Sequence, residues 1–492
     1  MADAHRRRFD AVLCWKFDGF ARSGSHLLRA LESFRASGID FNSFSEQLEP
    51  AHRLSSCLDD MLTIGRLASG GFDSVLCPGG GSTAAPGMGV RGFQKQDVVS
   101  YAAMSRNKSE ALTSIGLFAG IGGIELGLCR AGYRMQMICE IDTGAREVLK
   151  RRFDVEVEPD VRKLGALPKV DLIAAGFPCQ DLSQAGRTAG IAGKQSRLIS
   201  EVFKRLRSRV NGPRWLLLEN VPFMLQLQRG KAMRYVVDEL EELGFTWAYR
   251  VVNAHAFGIP QRRQRVLLLA SRSEDPRPAL FGCDAGEHSP SFSRTLLCGF
   301  YWTEGLRGLG WAVDAVPTLK GGSTIGIPSP PAIWDPQDGS ITTPDIRDAE
   351  RLQGFAENWT APAVDASGVR PSHRWKLVGN AGSVPVAEWI GRRLADPVGE
   401  TPIGMGLKRG APWPRAAWGH NGKVYSVGVS TFPIRVETPS LREFLRFPRI
   451  PLSYRAASGF LSRALVSGLR FEVGFLEDVK RHARRMARSA AA

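Results

Sequence analysis

The sequence predicts an α/β protein built on a largely parallel sheet, and three observations carry that expectation. Between residues 111 and 270, short apolar runs alternate with longer amphipathic stretches, the pattern of successive β–α–β units. A glycine-rich loop, Gly120-Ile121-Gly122-Gly123, joins the first apolar run to the first amphipathic stretch. The next two runs are each followed by an acidic residue, Glu140 and Asp160. Open α/β sheets bind ligands at the carboxyl ends of their strands, so all three features fall on one edge.

Taken in order, Ile115, Leu117 and Phe118 make the first strand, and Ile121, Ile124 and Leu128 share one helical face after the loop. Gly120, Gly122 and Gly123 allow tight turning and close approach of a ligand to a helix start. A dinucleotide fingerprint fails, because Glu125 stands where its third glycine belongs. Glu140 is placed to accept hydrogen bonds from a ribose, and Asp160 to hold an adenine amino group. A ribose and an adenine with no pyrophosphate between them describe S-adenosyl-L-methionine.

The fourth strand, Val170 to Ala175, runs into "GFPCQDLS", so Pro178 and Cys179 follow a buried strand directly. A cysteine by itself commonly marks inert packing. Here a fifth strand, "WLLLENV", brings Glu219 and Asn220 to the same edge, and three leucines before Glu219 predict its partial burial. In "QRRQRVLLLAS" a strand beginning near Gln264 puts Arg263 and Arg265 on one face, because strand side chains alternate.

Composition narrows the class. With 43% hydrophobic and 23% charged residues the chain reads as globular, and its 492 residues suggest several domains. No apolar run approaches the ~20 residues that cross a bilayer, and no signal-peptide pattern follows the basic N-terminus, so a cytoplasmic location is expected. Eight cysteines without a CxxC pair predict neither a disulfide framework nor a metal site. Lys and Arg number 65 against 49 Asp and Glu, a net charge of +16. Such a field attracts polyanions, nucleic acid above all.

Along the chain, residues 1–77 precede a Gly/Pro/Ser-rich linker at 78–110, and 111–270 carry the α/β pattern with its candidate catalytic and cofactor-binding residues. Residues 271–342 are irregular and rich in Pro and Gly; 343–395 return to helical patterning; 396–492 read as a basic C-terminal extension with a small β region and an arginine-rich helical end.

In order, "GLFAGIGG", "EID", "GFPCQDLS", "LLLENV", "QRRQRV", "RDAERLQGF" and "GNAGSVPV" resemble the motifs of DNA (cytosine-5-)methyltransferases, across about 111–395. The resemblance implies a Rossmann-like class I S-adenosylmethionine-dependent methyltransferase sheet with an antiparallel last strand, plus a smaller target-recognition domain at 271–342. It implies cofactor contacts at Phe118, Gly120, Gly122, Gly123, Glu140, Asp160, Gly176, Pro178 and Asn380. It also implies catalysis by Cys179 adding to carbon 6 of a flipped-out cytosine, Glu219 on ring nitrogen 3, and Arg265, with Arg263 beside it, on the base. Duplex DNA is the implied partner, with a restriction endonuclease acting separately on an otherwise monomeric enzyme. Gly382 stands where the family commonly has valine, which predicts looser packing beside the cofactor. Two other readings are RNA cytosine methylation, whose usual Cys-Phe-Thr stretch is missing, and a non-catalytic DNA-binding protein of this fold.

Residues 9–47 resemble part of a serine recombinase (resolvase) catalytic domain. The stretch Asp18-Gly19-Phe20-Ala21-Arg22 lacks that family's first arginine, so a truncated, non-functional remnant is expected, with Met104 as a natural start of the methyltransferase.

Overall fold

The computed structural model describes the strands Ala11–Cys14 and Asp40–Ser43, and residues 111–177, 197–207, 212–322 and 328–491. The chain forms two compact units, Met1–Phe93 and Gln94–Ala492. In the first, Ala11–Cys14 and Asp40–Ser43 pair in parallel.

The second unit is organised by a ten-stranded sheet. Its first seven strands in sequence are β1 (Thr113–Leu117), β2 (Arg134–Cys139), β3 (Glu156–Glu158), β4 (Leu172–Ala175), β5 (Trp215–Asn220), β6 (Thr246–Asn253) and β7 (Gln264–Ser271). Their spatial order is β3-β2-β1-β4-β5-β7-β6. The pairs among β1 to β5 are parallel, and β7 is inserted antiparallel between β5 and β6. The expected antiparallel strand is therefore present, one place in from the edge of this set.

Continuous apolar runs follow from burial on both faces. Leu216 and Leu218 of β5 face one core with Phe203 and Val236, whereas Trp215 and Leu217 face another with Ile124 and Ile390. Helices cover each side: α1 (Gly123–Arg130) and α8 (Val384–Ala395) on one, α3 (Arg197–Arg207) and α4 (Lys231–Glu242) on the other. α2 (Thr143–Arg152) follows β2 and is capped by Asp142, whose carboxylate accepts from Ala145 N–H.

Residues 271–342 hold more regular structure than their composition predicts. After α5 (Arg277–Phe281) come β8 (Cys298–Phe300), β9 (Ala312–Val313) and β10 (Ala332–Asp335), followed by β11 (Ser340–Thr343). They form an antiparallel sheet whose fifth strand, β15 (Ile450–Pro451), comes from the C-terminal region.

The region read as a basic extension is instead built into both sheets. β12 (Met405–Gly406), β13 (Ala416–His420) and β14 (Lys423–Ser426) continue the large sheet beyond β6 in the order β6-β13-β14-β12. An unpaired β6 would be a long, apolar edge, and β13 covers it. α10 (Tyr454–Leu465) and α11 (Phe475–Ala491) pack Phe460, Phe475 and Val479 against Phe300 and Trp334 of the small sheet. α6 (Ile346–Arg351) and α7 (His373–Asn380) lie between the sheets in sequence, and Leu352 and Leu377 join a core with Ile333 and Leu149.

Candidate active site

β1 ends in a backbone that turns sharply. Phe118, Gly120 and Gly122 all have positive φ (57°, 58° and 85°), and α1 starts at Gly122 without a side-chain cap. The first N–H groups of α1 are thus left to the loop and whatever it holds. Beyond β2, Glu140 braces the loop: Gly120 N–H donates to its Oε2 at 2.7 Å and Asp142 N–H to its Oε1 at 2.8 Å. Burial pushes the Glu140 carboxyl above the usual range, against the lowering effect of those hydrogen bonds. Asp142 in turn takes His373 Nε2 at 3.0 Å, tying α7 to the end of β2.

Asp160 caps a 3-10 turn at Val161–Lys163 and pairs side-on with Arg162, with Nη2 to Oδ2 at 2.6 Å. That pairing holds its carboxyl down at about 2. Both Asp160 oxygens accept from Arg162, whose own side chain is largely exposed.

The strand ends converge at Gly176. A Cβ there would lie within 4 Å of Phe118 O, Ile124 Cδ1 and Glu219 Oε2, so the ends of β1, β4 and β5 meet the start of α1 at one point. Pro178 and Cys179 follow two and three residues later and lie outside the described residues. Glu219 pairs in register with Leu267 of β7, which brings Arg265 beside it; Arg265 Nε is 2.9 Å from Glu219 Oε1. Both side chains are mostly buried, 13% and 16% exposed, as the preceding leucines predicted for Glu219. This contact is a charge pair without hydrogen-bond alignment, and among the described residues no hydrogen bond reaches Glu219 Oε1.

Arg263 and Arg265 both line a narrow cavity of about 20 Å³ with Glu219, Ile124 and Gly382, so they do share a face. Their positions differ. Arg263 is 1% exposed and its guanidinium donates to the carbonyls of Leu319, Gly379 and Ala381. It holds the turn after α7 against the chain between β9 and β10, a positioning contact. Asn380 ends α7, exposed and beside Gly321.

Gly382 does not loosen the packing. Its carbonyl lies so near Gly123 that a Cβ on Gly123 would come within 2.1 Å of it, and a Cβ on Gly382 itself would meet Ile124 Cγ1 at 2.8 Å. Two glycines back to back bring the turn after Asn380 directly onto the glycine loop.

Sequence reasoning passed over Glu125 except as a missing glycine. It is 1% exposed in the first turn of α1, and burial raises its carboxyl to about 8. Its place four residues after Ile121, on the apolar side of the helix, was the available signal.

Residues 112–292 match the C-5 cytosine-specific DNA methylase family, and residues 1–65 the resolvase N-terminal domain. Type II methyltransferase M2.BsuMI of Bacillus subtilis is 48% identical over 377 residues, covering 75% of this chain and 97% of that protein. Type II methyltransferase M.DsaV of Dactylococcopsis salina is 26% identical over 58% of this chain and 87% of its own length. M.BanI of Aneurinibacillus aneurinilyticus, also a Type II methyltransferase, is 36% identical over 34% of this chain and 40% of its own.

Proposed function

From the premise that this chain belongs to the C-5 cytosine-specific DNA methylase family and is a DNA cytosine-5 methyltransferase, we propose that it methylates carbon 5 of a cytosine flipped out of duplex DNA, through a covalent bond to Cys179. S-adenosyl-L-methionine supplies the electrophilic methyl group. The residues that would hold it are the positive-φ turn Phe118 to Gly122, the braced Glu140, Gly176 and Asn380; Asp160 joins them by sharing or releasing Arg162. Gly120, at positive φ and with open space where a Cβ would stand, suits a ligand lying close to backbone.

Carbon 5 of cytosine is too weakly nucleophilic to take a methyl group unaided. Cys179 as thiolate adds to carbon 6, while Glu219 donates a hydrogen bond or proton to nitrogen 3, so the ring's electrons gather at carbon 5. After transfer, loss of the carbon-5 proton and departure of the Cys179 thiolate restore the aromatic ring. A free thiol with pKa ~8.5 is only partly ionised at neutral pH, so nearby positive charge aids the attack. Arg265 supplies it and also orients Glu219. A stacked base cannot reach such a site, hence the flip.

One observation carries this reading: a buried carboxylate oxygen without a hydrogen-bond donor, 2.9 Å from Arg265, beside the strand end that leads to Cys179. We assign target recognition to the small-sheet lobe, and read the enzyme as a cytoplasmic monomer whose cognate endonuclease, if it has one, acts separately. Among the described residues no helix is long and apolar enough to cross a membrane. Residues 1–77 are assigned as a non-functional recombinase remnant.

The test is transfer of tritiated methyl from S-adenosylmethionine to DNA and to RNA, with base analysis of the product. Labelled 5-methylcytosine in DNA is expected from wild type, none from Cys179→Ala, and a covalent complex with DNA carrying 5-fluorocytosine at the target. Label in RNA alone would favour RNA methylation, and no label in either a purely DNA-binding role; turnover by Cys179→Ala would overturn the covalent route.

A further inference from the structure

Between the capping box at Ser440 and strand β15, the chain places Arg442, Arg446 and Arg449 within eight residues, and the chemistry above uses none of them. Two buried carboxylates shape this segment. Asp348, fully buried in α6, accepts from the backbone N–H groups of Arg446 (3.1 Å) and Phe447 (3.0 Å) and from Arg351 Nη1 (2.6 Å). Asp335, 3% exposed at the end of β10, takes Arg442 on both oxygens at 2.7 and 2.8 Å and lies 3.6 Å from Arg449 Nη2.

The segment so held bounds a cavity of about 370 Å³ lined by Leu297, Arg442, Leu445, Arg446, Phe447 and Arg449, among others. Arg449 Nη1 is buried and, among the described residues, has no hydrogen-bond partner. The exposed Arg446 guanidinium has no ion pair among the described residues. Of the nearby carboxylates, Asp335 answers Arg442, Asp348 is answered by Arg351, and Glu443 is turned into the cap of Ser440. Arg442 and Arg449 share the one Asp335 carboxylate, so with Arg446 two positive charges remain uncompensated for an occupant. Guanidinium forks match phosphate oxygens side-on, and Leu297 and Phe447 offer an apolar wall for an attached sugar.

We propose that this is a phosphate-binding pocket, whose occupant is a backbone phosphate of the duplex being methylated. The substrate is itself a chain of phosphates, and the pocket adjoins β10 and β15 of the small sheet, the lobe assigned to reading DNA. The same chemistry would accept free phosphate or a phosphorylated small molecule, so the experiment separates the sources. The inference is independent of the route through Cys179.

Full-length wild type, Arg446→Gln, Arg449→Gln and Arg446→Lys are compared by fluorescence anisotropy with a target duplex and a scrambled duplex over a salt series. Each loss of charge should reduce the slope of log Kd against log salt by about 1. The ratio of target to scrambled affinity should stay constant, and Arg446→Lys should keep the wild-type slope. Arg446 is exposed, so its variants test the idea even if Arg449→Gln folds poorly. In a second arm, inorganic phosphate is titrated while melting is followed. An unchanged DNA slope, with phosphate stabilising wild type but neither Gln variant, would assign the pocket to free phosphate and overturn the DNA part. Unchanged slopes together with no difference in phosphate response would overturn the pocket itself.

Discussion

The two sheets of the second unit are put together by opposite means. Strands β1 to β7 of the large sheet occur in one unbroken stretch, 113–271, and four of the six pairs within it join strands that follow one another in sequence, three of them through a helix. The small sheet takes four strands from 298–343, then waits about a hundred residues for β15 and for the two helices that close its core. Its aromatic side chains Phe300 and Trp334 are fully buried only because Phe460 and Phe475 arrive from the far end of the chain. Strands β1 to β7 can thus form from local units, whereas β12 to β14 and the closure of the small sheet both wait for the C-terminal region and carry a higher loop-closure cost during folding.

The strongest way to break this contrast is to remove 450–491. Fully burying one large apolar side chain contributes about 1.5–3 kcal/mol, and the deletion uncovers several at once. The shortened protein is expected to bind hydrophobic dyes, aggregate, and lose site-specific methylation. The same logic sharpens a specificity swap. Exchanging 271–342 alone with a relative should give a poorly folded protein, while exchanging 297–343 together with 450–491 should transfer target choice. Melting curves and methylation mapping of the two chimaeras decide; a folded, retargeted chimaera from 271–342 alone would show that the closure is interchangeable.

The same contrast explains what could be read in the residues. The β1–glycine loop–α1–β2 unit, Glu140 past the end of β2, and the partial burial of Glu219 were legible, because strand alternation and loop chemistry act over a few residues. The insertion of β7 between β5 and β6 was not, since an apolar run states which face is buried and not which neighbour it pairs with. For the same reason 396–492 read as a basic tail. Its alternating strands identified a β region, but nothing local told that β13 would cover β6. Spacing placed Arg263 on the cavity's face but could not show its partners, since the carbonyls of Leu319, Gly379 and Ala381 belong to backbone far away in sequence.

The two arginines give the next test, one within each kind of construction. Arg263→Met strips three carbonyls of their donor in a buried turn, and each buried acceptor left unsatisfied costs about 1–3 kcal/mol. A clear fall in melting temperature is expected, with activity lost alongside stability. Arg265→Ala leaves the backbone scaffold alone, and Glu219, deprived of its charge partner, can take up a proton, so the melting temperature should fall less than in Arg263→Met. Removing one positioned charge at a reacting group typically lowers kcat by about 10²–10³-fold. Equal melting temperatures for the two variants would reject the division into positioning and reacting roles.

Glu125 tests whether the local unit carries its own hidden cost. Its carboxyl is raised from 4.5 to about 8, chiefly by burial and further by the Glu140 charge. Between those values the folded state holds a proton that the unfolded state releases, so stability must fall as pH rises from about 4.5 to about 8. Glu125→Gln keeps the shape and removes the titration. Its melting temperature should exceed that of wild type at pH 8.5, by about 2 °C or more, and the gap should close towards pH 5. A constant gap across that range would mean that Glu125 is ionised in the folded protein.

The smallest effect is expected at the other end of the chain. The elements that build the site run from Thr113 to Ala395, and Met1–Phe93 forms a compact unit apart from them in sequence. Residues 1–65 match the resolvase N-terminal domain, yet the Asp18 to Arg22 stretch lacks an arginine that family uses. The Gly/Pro/Ser-rich segment at 78–92 reads as a linker across which few contacts should pass. β1, the strand nearest the cut, is already paired on both sides, by β2 and β4, so it needs no partner from upstream. A protein starting at Met104 should therefore keep its turnover and target choice, and its melting temperature should move by no more than about 1 °C. The comparison is run at several salt concentrations, because basic residues before Met104 could hold DNA without touching the site. A loss of turnover beyond about tenfold, or a clearly lower melting temperature, would make the recombinase-like unit a working part of the enzyme, closed over long range as the small sheet is.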